Sequence, residues 1–452
     1  MKEVQVTIPP EEERKIIRAL DLRMLSLLCL FYMASYLDRI NIGQARVQGL
    51  EQDLNLTPDE FGLTVAAFYI TYVLFEVPSN ILLKRTNAAA YLSLIITSWS
   101  VVTLLTAFVT NFAGLLITRL ILGIIESAYI PGVLYQLSRV YTRDELPLRV
   151  SCLVGTAFLS GVVSGFIGYG TSHLDGKAGL DAWRYLFIIE GAPGILLGIA
   201  AYFCLFNDIR KVSWLTDEQK QWQIQRMEKI NIDDTHSITA KNVFLSLISW
   251  KTWAFAALMF LDAEAMLTTS TFSPTLIIGF GFSVLNTQLL SAGPPVAALG
   301  AVFLCGYLSS DKHNYRAMLT TAGFVLISLG CALLLGIKDQ WGDYASLFPI
   351  TAGIGLQAPC ILSWAAVAFD DMTQRAVAIA VTTAASNVGG VLGSYLYPAN
   401  EGPFFFKGKL VTLVIVAVGI VLTPMIAYGL ARERRKTQDA ANFSRSETAS
   451  SG

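Results

Sequence analysis

The segment LLITRLILGIIESAYIPGVLY is apolar except for Arg119 and Glu126, and an earlier apolar segment closes on Asp38-Arg39. An ionised side chain in the hydrocarbon core of a bilayer costs about 2.5–3.5 kcal/mol on insertion scales, so such groups persist where they line a polar pathway or pair with one another. Seven residues at 100° each return Arg119 and Glu126 to within about 20° of one direction, roughly 10 Å apart along the helix axis. Gly123 falls between them on nearly that face, which predicts room for a ligand or a water. Counted along the helices, Asp38 and Arg119 meet at one level and Glu126 lies roughly 10 Å deeper.

These residue types match a definite chemistry. Arginine stays charged and offers a planar fork of N–H groups to a carboxylate. Burial favours the neutral form of a carboxylic acid and an adjacent cation favours its ionised form, so Asp38 and Glu126 are suited to take up and release protons. The competing reading, strongest for Asp38 and Arg39, is a set of permanent ion pairs joining helices. Further along, LMFLDAEAMLTTSTFSPTL carries Asp262 and Glu264, which point about 200° apart on an unbroken helix. Asp262 is the candidate cavity and proton-coupling residue of the two, with an interhelical pair as the alternative. Gln357 and Trp364 are suited to hydrogen bonding and stacking, with core packing as the alternative. Arg39, Arg119, Gln357 and Trp364 are thus the candidate substrate-binding residues.

The elements that must position these groups are membrane helices. The chain of 452 residues is 54% apolar and 15% charged, with mean hydropathy +0.53, whereas soluble domains are about 45–50% apolar and 25% charged. A crossing helix needs roughly 20 apolar residues, and twelve segments qualify: 24–41, 61–83, 90–111, 113–138, 149–172, 185–206, 252–278, 287–309, 316–337, 344–369, 374–398 and 409–431. The expected fold class is an all-α membrane protein with twelve transmembrane helices in two six-helix bundles, 24–206 and 251–431. A cytoplasmic tail (1–23), a linker (207–250) and a disordered cytoplasmic tail (432–452) complete the division. With both termini in the cytoplasm, the basic clusters Lys84-Arg85, Arg210-Lys211 and Arg432 to Lys436 fall inside, while Arg46, Lys177, Arg184, Lys338, Lys407 and Lys409 fall outside; this distribution obeys the positive-inside rule.

Local signals fill in the outline. Gly161, Gly165, Gly168 and Gly170 in the fifth span and Gly389, Gly390 and Gly393 in the eleventh predict close helix approach and hint at a duplicated six-helix unit. Pro131, Pro193, Pro274, Pro294, Pro295 and Pro359 predict kinks or breaks. Thr216-x-x-Gln219 in the linker is a capping-box pattern, as is Thr57-Pro58-Asp59-Glu60, which competes with reading Asn55-Leu56-Thr57 as a glycosylation acceptor. The six cysteines lie in apolar segments without paired spacing, so neither a disulfide framework nor a metal site is expected. No cleavable signal peptide is evident, and the first helix is expected to serve as its own targeting signal. His173, His236 and His313 form no catalytic or metal spacing, so an enzyme is not expected, and nothing indicates a nucleic-acid partner.

Six motifs resemble the major facilitator superfamily, and within it the fungal members of the anion:cation symporter family, a group that includes allantoate, nicotinate and pantothenate permeases. They are YLDRINIGQAR (36–46), EVPSNILLKR (76–85), RLILGIIESAYIPG (119–132), WRYLFIIEG (183–191), FSPTLIIGFGF (272–282) and RAVAIAVTTAASNVGG (375–390). The resemblance implies the major facilitator fold and proton-coupled symport of a small organic anion by alternating access. It implies a monomer in the plasma membrane with no cofactor beyond the coupling proton, Asp38 and Glu126 as proton sites and Arg119 as the anion site. The chain departs from the pattern at Asn80, Lys84 and Arg85 after the second span, at Ser310-Asp311-Lys312 in the second half, and after Trp364, where Ala365 to Ala368 replace an asparagine. The glycine-proline motif of drug:proton antiporters is missing from the fifth span, which favours uptake over the alternative, export of a fungal metabolite. A nutrient sensor is a more distant alternative, because no signalling domain is present.

Overall fold

The computed structural model describes residues 9–142, 145–232, 240–308, 315–369 and 372–450. Ser310, Asp311 and Lys312, together with His236 and His313, lie outside them. Among the described residues every regular element is a helix. Among the described residues nine helices are long and apolar enough to cross a membrane, and the pair Lys241–Ile248 and Trp250–Ser270, bent by 57°, makes ten if it is counted as one span. The two remaining segments of the twelve are helical but more polar: Ser26–Val47 carries Asp38, Arg39 and Arg46, and Met372–Gly393 opens on Thr373, Gln374 and Arg375.

Helix starts and breaks follow local chemistry. Pro58–Arg85 begins with a complete capping box, Thr57 accepting from Glu60 N and Glu60 accepting from Thr57 N, so the backbone before it is committed to a helix start. Thr216 and Gln219 make the same reciprocal pair ahead of Asp217–Ile232, with N···O distances of 3.2 and 3.3 Å. The fourth span is broken into Phe112–Glu126 and Tyr129–Ser138, because Pro131 has no N–H to return to the preceding turn. Glu126 therefore stands at a helix C-terminus. The seventh span breaks at Thr271-Phe272, where Trp250–Ser270 gives way to Ser273–Gly279 with Pro274 in its first turn. Asp262 and Glu264 precede that break and share one uninterrupted helix. The last helix runs from Phe406 to Ser450 and takes in the polar stretch after Arg432, which is rich in helix-favouring Ala, Arg, Glu and Lys.

The chain divides into two compact units, one comprising Met1–Ser237, Leu267–Leu299 and Gly390–Phe405, the other Ile238–Met266, Gly300–Gly389 and Phe406–Gly452. Within the first unit the later segments are tied to the far end of Ser26–Val47. Arg46 donates to the carbonyl of Tyr397 at 3.0 Å, pairs with Glu51 at 3.0 Å, and lies over Phe61 and Phe272. Gly43 sits against the Thr271 carbonyl so tightly that a Cβ would overlap it. The linker helix docks on the same unit, with Gln223 donating to the Val140 carbonyl at 2.7 Å and Arg226 paired with Glu13 and Glu145. In the second unit Arg316–Gly336 packs closely on Leu347–Val367 and on Phe406–Ser450.

Candidate functional site

The site in the first unit is built from Ser26–Val47, Phe112–Glu126 and Ala182–Cys204. Ser35, Asp38 and Asn41 follow one another at three-residue spacing and share one face of the first of these helices; all three are buried. Long side chains join Ser26–Val47 to Phe112–Glu126. Arg119 donates from Nη1 to the Asp38 carbonyl oxygen at 3.1 Å and from Nη2 to Asn41 Oδ1 at 3.2 Å. Its guanidinium lies 5.6 Å from the centre of the Phe187 ring. About two turns along from Arg119, Glu126 Oε2 accepts from Ser35 Oγ and from Arg39 Nε, both at 3.0 Å. Arg39 lies against two neighbouring aromatic rings, 4.7 Å from Tyr72 and 5.2 Å from Phe68. Glu190 Oε2 accepts from Asn41 Nδ2 at 2.9 Å.

Polar capacity is left over. Among the described residues Arg119 Nε, Arg39 Nη2, Glu126 Oε1 and Glu190 Oε1 are shielded and have no hydrogen-bond partner. These four atoms are the polar groups that the site can offer to a ligand or to water. Charge is also uneven: Asp38, Glu126 and Glu190 face Arg39 and Arg119, and if all are ionised one negative charge is in excess. The C-terminal end of Phe112–Glu126 is itself electronegative, so an ionised Glu126 depends on Arg39.

Several expectations are refined by this geometry. Arg119 and Glu126 share a face and are both buried, yet they engage different residues. Arg119 reaches the level of Asp38 as expected, but through the backbone carbonyl, and among the described residues it forms no ion pair. Gly123 leaves no room for a ligand: a Cβ there would overlap Thr71 Oγ1 and the Phe68 carbonyl. The glycine serves close packing of Phe112–Glu126 against Pro58–Arg85, as small residues do between membrane helices. Glu190, Asn41 and Ser35 were not singled out from the sequence. Glu190 is the lone acid in FIIEGAPGILLG, the kind of signal that exposed Arg119 and Glu126.

In the second unit Asp262 is fully buried. The Gln357 amide, oriented so that both ends are satisfied, donates to Asp262 Oδ1 at 2.6 Å and accepts from Phe324 N at 2.6 Å, while Asp262 Oδ2 has no hydrogen-bond partner among the described residues. Glu264 points elsewhere, as two-residue spacing requires, and accepts from Thr412 Oγ1 at 2.7 Å. Trp364 packs edge to face on Phe255, ring centres 5.3 Å apart.

Helices long and apolar enough to span a membrane, with charged groups in their midst, define a polytopic membrane protein. The model of the Major Facilitator Superfamily matches residues 28–394, and the chain belongs to that family, whose fold is two six-helix bundles. Among relatives, the uncharacterized transporter C1002.16c of Schizosaccharomyces pombe is 31% identical over 430 residues, 94% of this chain and 85% of that protein. The high-affinity nicotinic acid transporter of Saccharomyces cerevisiae is 28% identical over 429 residues, 94% of this chain and 79% of that protein. Among solved structures, a bacterial homologue of the human lysosomal transporter Spinster matches with a TM-score of 0.71 at 16% identity, covering 94% of this chain and 98% of its own. The protein is a multi-pass membrane transporter and not an enzyme.

Proposed function

We propose that the transporter carries a small organic carboxylate together with a proton by alternating access, as a monomer in the plasma membrane with both termini in the cytoplasm. The observation that carries this reading is the Arg119 guanidinium, fixed on two sides by Asp38 O and Asn41 Oδ1 with its Nε edge unpartnered. A carboxylate at that edge completes the fork, and Arg39 Nη2 is a second unpartnered donor in the same cluster. Proton coupling follows from charge. The site already has one carboxylate more than it has arginines, and an uncompensated charge taken out of water costs several kcal/mol. Each arriving anion therefore brings a proton, taken by Asp38 or Glu126, and Asp262 is a further proton site in the second unit. Residues 24–206 and 251–431 are the two bundles, joined by 207–250. The positions of the basic clusters support a cytoplasmic linker and cytoplasmic tails.

The relative that transports nicotinic acid makes nicotinate the first probe. Purified protein in liposomes is expected to accumulate labelled nicotinate, or another anion of a monocarboxylate panel, when the outside is acidic, and to stop when a protonophore collapses the gradient. Accumulation indifferent to the gradient overturns the coupling, and accumulation only with the gradient reversed replaces uptake by export.

A further inference from the structure

We propose that Glu190 is a positioning residue for Arg119, acting through the Asn41 amide. This rests on the reading of Arg119 as the anion site. Three side chains from three helices form one chain of hydrogen bonds: Arg119 Nη2 donates to Asn41 Oδ1 at 3.2 Å, and Asn41 Nδ2 donates to Glu190 Oε2 at 2.9 Å. The polarity of this chain matters. An amide has a donor end and an acceptor end of nearly equal size, and either can be turned toward a neighbour. A guanidinium only donates, so the amide helps Arg119 only when Oδ1 faces it, and Nδ2 would oppose it. An ionised carboxylate only accepts, so Glu190 can satisfy Nδ2 and nothing else at this place. Glu190 therefore selects the amide orientation that Arg119 requires.

The selected orientation has a geometric consequence. With Nη1 held by the Asp38 carbonyl and Nη2 by Asn41, the guanidinium plane is fixed, and among the described residues Nε is the guanidinium nitrogen left without a partner. Loss of Glu190 frees the Asn41 amide to turn, and Arg119 then keeps the hydrogen bond to the Asp38 carbonyl and its contact with the Phe187 ring. The anion site loses its pre-set direction, which lowers affinity more than it slows the loaded carrier, because ordering the site becomes part of binding.

The test uses the full-length protein in liposomes with nicotinate as the probe. Glu190→Ala is expected to raise the half-saturation concentration about tenfold, the worth of one charge-assisted hydrogen bond, with the maximum rate less affected. Glu190→Gln keeps an oxygen that Asn41 Nδ2 can reach and is expected to restore most of that loss. Asn41→Ala should match Glu190→Ala, and the double variant should be no worse than either, because both act on one chain of contacts. A half-saturation concentration unchanged in Glu190→Ala, or additive losses in the double variant, overturns the proposal. So does a Glu190→Gln variant as impaired as Glu190→Ala. A structure of Glu190→Ala decides the matter without any substrate: the Arg119 to Asn41 hydrogen bond should be lost, and its persistence refutes the positioning role. If the wild type takes up no anion, the reading of Arg119 as anion site fails, while that structural comparison still decides whether Glu190 orients it.

Discussion

Replacing Glu126 by Gln keeps the shape of the side chain and removes its charge, leaving Arg39 without a carboxylate partner. Breaking one side of a buried ion pair costs about 3–5 kcal/mol, because the other charge stays behind uncompensated. Here the loss is reduced. Arg39 rests over Tyr72 and Phe68 at 4.7 and 5.2 Å, contacts that contribute about 0.5–2 kcal/mol each to a cation, and its side chain is 12% exposed. An amide oxygen at position 126 can still accept from Ser35 Oγ or Arg39 Nε. The expected net destabilisation is therefore about 1–3 kcal/mol. Thermal unfolding in detergent of wild type, Glu126→Gln, Arg39→Gln and the double variant measures the coupling directly. The double variant should be more stable than the sum of the two single losses implies, because it leaves neither charge alone. Strict additivity would refute the pairing, whatever the transport assays show.

Three further outcomes follow from the same geometry. Arg119→Lys keeps the charge but cannot serve Asp38 O and Asn41 Oδ1 as a planar fork, so the half-saturation concentration for the anion should rise about tenfold or more, and unchanged uptake kinetics would remove Arg119 from the anion site. Gly123→Leu places a side chain where Thr71 and the Phe68 carbonyl already lie, so a loss of about 1–3 kcal/mol or more is expected from overpacking; a melting temperature equal to wild type would show that the helices do not meet there. Asp262→Ala strips the Gln357 amide of its acceptor and should cost about 1–3 kcal/mol, whereas Asp262→Asn keeps an oxygen in place and should cost less, an order that thermal unfolding checks.

Much of the fold can be read from residue order because bilayer physics is strict. Apolar length marks the helices, capping residues mark Thr57 and Thr216 as starts, and Pro131 and Pro274 lie beside the breaks at Ser127 and Thr271. The existence of a charged site is legible for the same reason, since charge at membrane depth is costly. Pairing inside the site is not. Helical phase fixes the direction of Arg119 relative to Glu126 on one helix, but not how that helix is rotated against Ser26–Val47, so nothing in the spacing distinguishes Arg39 from Arg119 as the partner of Glu126. Gly123 shows the same limit from the other side, because one helix alone cannot say whether a small residue faces open space or a second backbone. Glu190 lies on a third helix, and the hydrogen bonds that connect it to Arg119 run through Asn41.

Liposomes that contain the protein and a trapped pH indicator test proton-coupled anion uptake most directly. With equal pH on both sides, external nicotinate, or whichever anion of the panel is transported, should acidify the lumen as it enters, and Glu126→Gln should weaken or abolish that acidification even where anion exchange persists. Anion entry in the wild type without proton entry would contradict the account.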